Sequence, residues 1–93
     1  MEWVLYAWIK RGARRQSILK LLSSSDQAFS ANDIKSKLKI SLPQSSLTLK
    51  ELSEKDLINC LNPNDNIGKL YKISSKGKEM IKELLKEEPW NQK

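Results

Sequence analysis

Gln44 and Lys50 carry the side chains of this sequence best able to read the polar edge of another molecule. A glutamine amide can hydrogen-bond adenine at N6 and N7, and a lysine ammonium can reach guanine or a phosphate. Pro43, Ser46, Leu47 and Thr48 stand among them. Thr48 can bond a base edge or a phosphate, and Ser46 a phosphate. Leu47 can touch a thymine methyl group, although a singly exposed leucine is also ordinary. Glu51 and Glu54 follow and would repel phosphates, so contact should be confined to the preceding two turns. A second group, Lys10, Arg11, Arg14, Arg15 and Lys20, reads either as a phosphate-binding cluster or as a solvated helix face. Asn64, Asn66 and Lys69 form a third group, neutral or basic apart from Asp65.

Other chemistries find no residues here. The sequence has no histidine, so no histidine-based triad or metal–histidine site can be built. Its one cysteine, Cys60, cannot form an internal disulfide or a zinc site, and its apolar neighbours Leu57, Ile58 and Leu61 suggest a buried strand thiol. The three glycines are scattered, so no phosphate-cradling loop can be read. No catalytic residue, metal or cofactor is therefore expected, and the protein is read as a binding module.

The charge balance agrees with a polyanionic partner. Lysine and arginine total 17 against 11 aspartates and glutamates, a formal net charge of +6 over 93 residues. That length suits one domain, expected over residues 1–88 with a tail at 89–93. Single-cysteine usage fits a reducing, cytoplasmic setting. The apolar start, Trp3–Ile9, lacks a cleavage site and is far shorter than the ~20 residues of a membrane span, so no membrane association is expected.

The elements that would position these groups follow from periodicity. Within the N-terminal segment 1–12, Trp3–Ile9 is apolar or aromatic almost without interruption, so periodicity cannot separate strand from helix there. Trp3, Tyr6 and Trp8 in this segment either pack on their own core or form a dimer contact. Ala13–Ser23 reads as a helix with Ile18, Leu21 and Leu22 on one face and Leu19 beside it. Ser30 caps a second helix, Ala31–Leu38, with Asp33 favouring its start and Lys35 facing outward. After the short connection Lys39-Ile40, Ser41 caps a third helix, 42–55, with Pro43 in its first turn. Its inner face is Ser45, Leu49 and Leu52. Leu57–Leu61 reads as a strand, 62–69 as a turn-rich loop, and Lys69–Ile73 as the returning strand. Ser74 caps a last helix, Ser75–Glu87.

This order predicts an α+β chain, mostly helical: a winged helix-turn-helix with a three-helix core, a β-hairpin wing and a C-terminal helix. The stretches "SSLTLKELSEKDLINCLNP" (Ser45–Pro63) and "GKLYKISSKGKEMI" (Gly68–Ile81) resemble the small archaeal winged helix-turn-helix regulators of the broad MarR/ArsR-like group. The resemblance implies a homodimer on double-stranded DNA that regulates transcription, with Gln44, Ser46, Leu47 and Lys50 at base or phosphate positions and Lys69 at the end of the wing. It also implies a dimer built from the terminal helices, which adds Met80, Leu84 and Leu85 to the contact. Two positions depart from the pattern: Leu47 replaces a polar or basic residue, and Asp56 stands where a glycine usually follows the recognition helix. No ligand-sensing residues have a counterpart, so no small-molecule effector is expected. Two rival readings share this fold: a protein-interaction adaptor using Trp3, Tyr6, Trp8 and Leu47, and an architectural DNA binder with little sequence preference.

Overall fold

The computed structural model describes residues 2–86. Five helices and a two-stranded antiparallel hairpin occur in the order α1 (Trp3–Lys10), α2 (Ala13–Ser23), α3 (Ala31–Leu38), α4 (Leu42–Glu54), β1 (Ile58–Cys60), β2 (Tyr71–Ile73) and α5 (Ser75–Lys86). The expected α+β, mostly helical architecture is present, with α3 and α4 as the helix-turn-helix and the hairpin as the wing. No described helix is long and apolar enough to cross a membrane. The expected last-helix end at Glu87, the limit at residue 88 and the tail 89–93 lie outside the described residues.

The segment that periodicity left open is helical. Leu5, Tyr6 and Ile9 fall on one side of α1 and are buried, while Trp3 and Val4 stay in solvent. In α2 the buried set is Ile18, Leu19 and Leu22, with Leu21 only partly covered. The expected order of Leu19 and Leu21 is thus reversed, because α2 has other elements on more than one side: α1, α3, α4, α5 and β2 all touch it. Ile34, Leu49, Leu52, Leu57 and Ile58 complete the centre, each fully buried. Such a side chain contributes about 1.5–3 kcal/mol on leaving water.

The turn between α3 and α4 is held by local chemistry. Ser30 and Asp33 form a reciprocal capping box at the start of α3, and Ser41 and Gln44 form another at the start of α4. Pro43 sits in the first turn of α4, where its missing N–H is not needed. Between the helices Lys39 adopts φ 59°, ψ 40°, and its N–H returns to the carbonyl of Lys35. A lysine in this left-handed conformation costs about 1–2 kcal/mol relative to the right-handed region. At the far end of α4, Asp56 has φ 60°, which explains why a glycine would suit that position.

Both strands are shorter than expected, three residues each, paired Ile58 with Ile73, Asn59 with Lys72 and Cys60 with Tyr71. A third short strand position comes from Phe29, whose N–H and carbonyl exchange 2.9 Å bonds with Tyr71. This bridge ties the entry to α3 to the base of the wing. Cys60 is half-buried rather than enclosed. Burial, and then Cys60 opposite, push the Tyr71 phenol up from its ordinary value. Ser74 accepts from the Gly77 N–H and so caps α5 as expected. Gly77 then lies so close to β1 that an added Cβ would meet the Leu57 carbonyl oxygen at 2.2 Å.

Candidate nucleic-acid interface

The first two turns of α4 stand clear of the body. Pro43, Gln44, Ser46, Leu47 and Lys50 are all exposed. Leu47 is 57% exposed and Leu42, at the very start of the helix, 38%. Ser45, Leu49 and Leu52 are buried as the spacing predicts. Thr48 is a correction: it is 4% exposed and faces inward with Ser45, so it cannot contact a base or phosphate. Positions 45, 48, 49 and 52 share one helix face, which the 3.6-residue repeat already contains.

Gln44 is only partly free. Its Oε1 accepts from the Ser41 N–H at 3.2 Å, and its own N–H donates to Ser41 Oγ at 3.2 Å. One lone pair of the oxygen is engaged in the cap, so the side chain keeps its NH₂ and a second lone pair, and a two-point contact with adenine has to share the oxygen with the Ser41 N–H.

Arg15 is a second correction. Its guanidinium lies 3.9 Å over the Trp8 ring, donates from Nη1 to the Trp8 carbonyl, and sits 3.9 Å from a Glu51 carboxylate oxygen. Lys55 approaches the same ring, with Nζ 5.4 Å from its centre. Arg15 therefore joins α1, α2 and α4 and is not a free hook for phosphate. Arg14 and Lys35 remain exposed. Arg11, Arg14, Leu47 and Glu51 line a shallow groove of about 390 Å³ between the start of α2 and α4.

The wing is organised by one residue that the sequence reading did not single out. The Asn62 amide donates to the Asp65 carboxylate at 2.9 Å and to the Gly68 carbonyl at 3.1 Å. Its Oδ1 accepts from the Leu70 N–H at 2.8 Å. Gly68, at φ 73°, supplies the left-handed turn. The signal was present, since asparagine commonly bonds the backbone of its own turn. The network also engages Asp65, the single acid of the tip, and leaves Asn64 and Asn66 exposed. Lys69 is half-buried at the wing's edge, and Ile67 is 90% exposed. Between wing and helix-turn-helix runs a groove of about 440 Å³ bordered by Asn32, Leu42, Ser46, Ile67 and Lys69.

Among the described residues, Lys35, Lys37, Lys39, Lys50 and Lys69 pair with no carboxylate. Their charge is uncompensated at short range on the elements that border the exposed head of α4.

The dimer residues divide. Tyr6, Met80 and Leu84 are buried in the core of their own chain, which corrects their assignment to a partner contact. Trp3 and Leu85 are exposed, at 67% and 42%, while Trp8 is half-covered by Arg15. Glu2, at the N-cap of α1, pairs with Lys76 of α5 at 3.0 Å.

No family model and no curated protein matches this chain. Among solved structures, it is similar to wild-type MarR from E. coli, crystallised in its apo form. That structure aligns with a TM-score of 0.71 and 21% sequence identity over 88% of this chain. The alignment spans 63% of the MarR chain, so about a third of that protein has no counterpart here. The likeness establishes the winged-helix fold.

Proposed function

We propose that this protein is a sequence-specific, double-stranded-DNA-binding transcription regulator that acts as a homodimer in the cytoplasm. The observation that carries this reading is the exposed head of α4, fixed by a capping box and bordered by lysines without carboxylate partners. A major groove about 12 Å wide admits one such helix. Ser46, Lys50 and the Gln44 NH₂ would meet base edges or phosphates. Asn64, Asn66 and Lys69 would follow the backbone or the adjacent minor groove, with Arg14 and Lys35 on flanking phosphates. The winged-helix fold shared with MarR is consistent with this reading.

In the homodimer, two recognition helices would meet half-sites about 34 Å apart. Of the side chains expected at the partner contact, Trp3 and Leu85 remain exposed for it, with Val4 of α1 beside Trp3, since Tyr6, Met80 and Leu84 are used internally. The residues 1–88 act as one domain in this account.

The test is a salt titration of binding to a random-sequence duplex and to a duplex recovered by selection. If the dimer neutralises about 6–10 phosphates, affinity falls about 10³–10⁵-fold between 50 and 200 mM salt. A flat response removes the proposed mechanism. Equal affinity for both duplexes leaves the architectural reading in its place.

A further inference from the structure

We infer that the head of α4 reads the C5-methyl groups of thymine through Leu47, with Pro43 beside it. This inference deepens the proposed DNA-binding reading and rests on it.

Thr48 is turned into the core, and the Gln44 oxygen accepts from the Ser41 N–H. Thr48 is thereby out of reach of a base, and Gln44 makes a two-point contact only by sharing its oxygen with the cap. Outward at the head are Leu42, Pro43 and Leu47, interspersed with Gln44, Ser46 and Lys50. Pro43 and Leu47 are four positions apart and therefore lie one above the other on the helix surface. Lys50 continues that stripe one turn on, three positions from Leu47. The stripe is thus apolar at the leading end and basic behind.

A leucine 57% exposed on a lysine-rich surface has one apolar feature to meet on a DNA base edge in the major groove, the thymine methyl. Charge complementarity selects duplex DNA over an apolar protein groove as the occupant. Arg11 and Arg14 share a groove with Leu47, outnumbering Glu51 there, and Lys50 follows on the stripe, so the leucine stands among cations that favour a groove flanked by phosphates. Arg15 on Trp8 and near Glu51 anchors the helix behind the stripe. Leu47 is in this account a specificity-determining residue, and its departure from a polar or basic side chain is what shifts readout from hydrogen bonds to methyl contact.

The experiment uses one duplex recovered by selection from a random-sequence pool, synthesised twice, with thymine and with uracil at every T. Wild-type protein should bind the uracil duplex about fourfold more weakly for each contacted methyl lost. Leu47→Ala, an exposed substitution to a strong helix former, should reduce that difference towards unity in a double-mutant cycle. Its thermal melt should match wild type. Equal binding of the two duplexes by wild type overturns the inference while leaving DNA recognition intact. A full thymine–uracil difference retained by Leu47→Ala overturns the assignment to Leu47. Self-association seen by light scattering and relieved by Leu47→Ala would give the stripe to a second copy and also overturn it. Failure of wild type to bind any duplex at low salt defeats the underlying DNA reading itself, a distinct outcome.

Discussion

The back of the molecule and its leading edge differ in how many of their cations are engaged within the chain. At the back, around α1, Arg15, Lys55 and Lys76 are engaged inside the chain, although Arg11, Lys78 and Lys82 pair with no carboxylate among the described residues. Arg15 stacks on Trp8 near Glu51, Lys55 shares the same ring, and Lys76 meets Glu2 at 3.0 Å. At the leading edge, Lys35, Lys37, Lys39, Lys50 and Lys69 have no carboxylate partner among the described residues. Exposed ion pairs contribute only about 0–1 kcal/mol each, so the contrast says little about stability. It concerns where the field goes. A matched cation projects little potential, whereas a row of unmatched ones attracts a polyanion.

The two regions also hold their shape differently. The back is fixed by packing, down to the contact of Gly77 with the Leu57 carbonyl. The leading edge is fixed by local hydrogen bonds: two capping boxes and the Asn62 network. Side chains that need not fill a core are left available for another molecule.

Substitutions can break or sharpen this contrast. Gly77→Ala should have the largest effect, a loss of about 3 kcal/mol in urea unfolding, because the methyl meets backbone that cannot yield. A cost below about 0.5 kcal/mol would mean that α5 and β1 are not packed this tightly. Lys50→Ala should leave stability within about 0.5 kcal/mol of wild type yet lose about 1–3 kcal/mol of discrimination between a selected duplex and a random one. Lys69→Ala should instead weaken all duplexes alike and lower the salt slope by about one. Equal loss on all sequences from both changes would contradict their separate roles. Ser41→Ala should cost about 1 kcal/mol of stability by removing the Oγ that accepts from the Gln44 N–H, while the bond from the residue-41 N–H to Gln44 Oε1 stays available. Smallest is Lys39→Gly, expected to raise stability by up to about 1 kcal/mol by relieving φ 59° while slightly weakening DNA affinity. The two readouts moving in the same direction would deny Lys39 a place on the binding edge.

Much of the leading edge was legible because its signals are local. Ser30, Ser41 and Pro43 announce two helix starts by their own hydrogen-bonding and φ preferences. The cluster from Asn62 to Gly68 announces a turn in the same way. Thr48 was misread although its spacing from Ser45 and Leu52 was informative; its hydroxyl suggested a contact where position dictated burial. The back was less legible. The run Trp3–Ile9 is apolar on every side, so no period distinguishes helix from strand. The fate of Arg15 depends on Trp8 from another helix and Glu51 from a third, and no sequence spacing encodes that meeting. Tyr6, Met80 and Leu84 were open to a partner on the same grounds until the packing of α1 and α5 enclosed them.

The most direct measurement maps backbone amide chemical shifts of the protein as a selected DNA duplex is added. The account predicts changes concentrated at residues 42–50 and 64–69, with α5 beyond Met80 little moved by DNA itself. Changes confined to α1 and α5, with the first two turns of α4 unmoved, would contradict it.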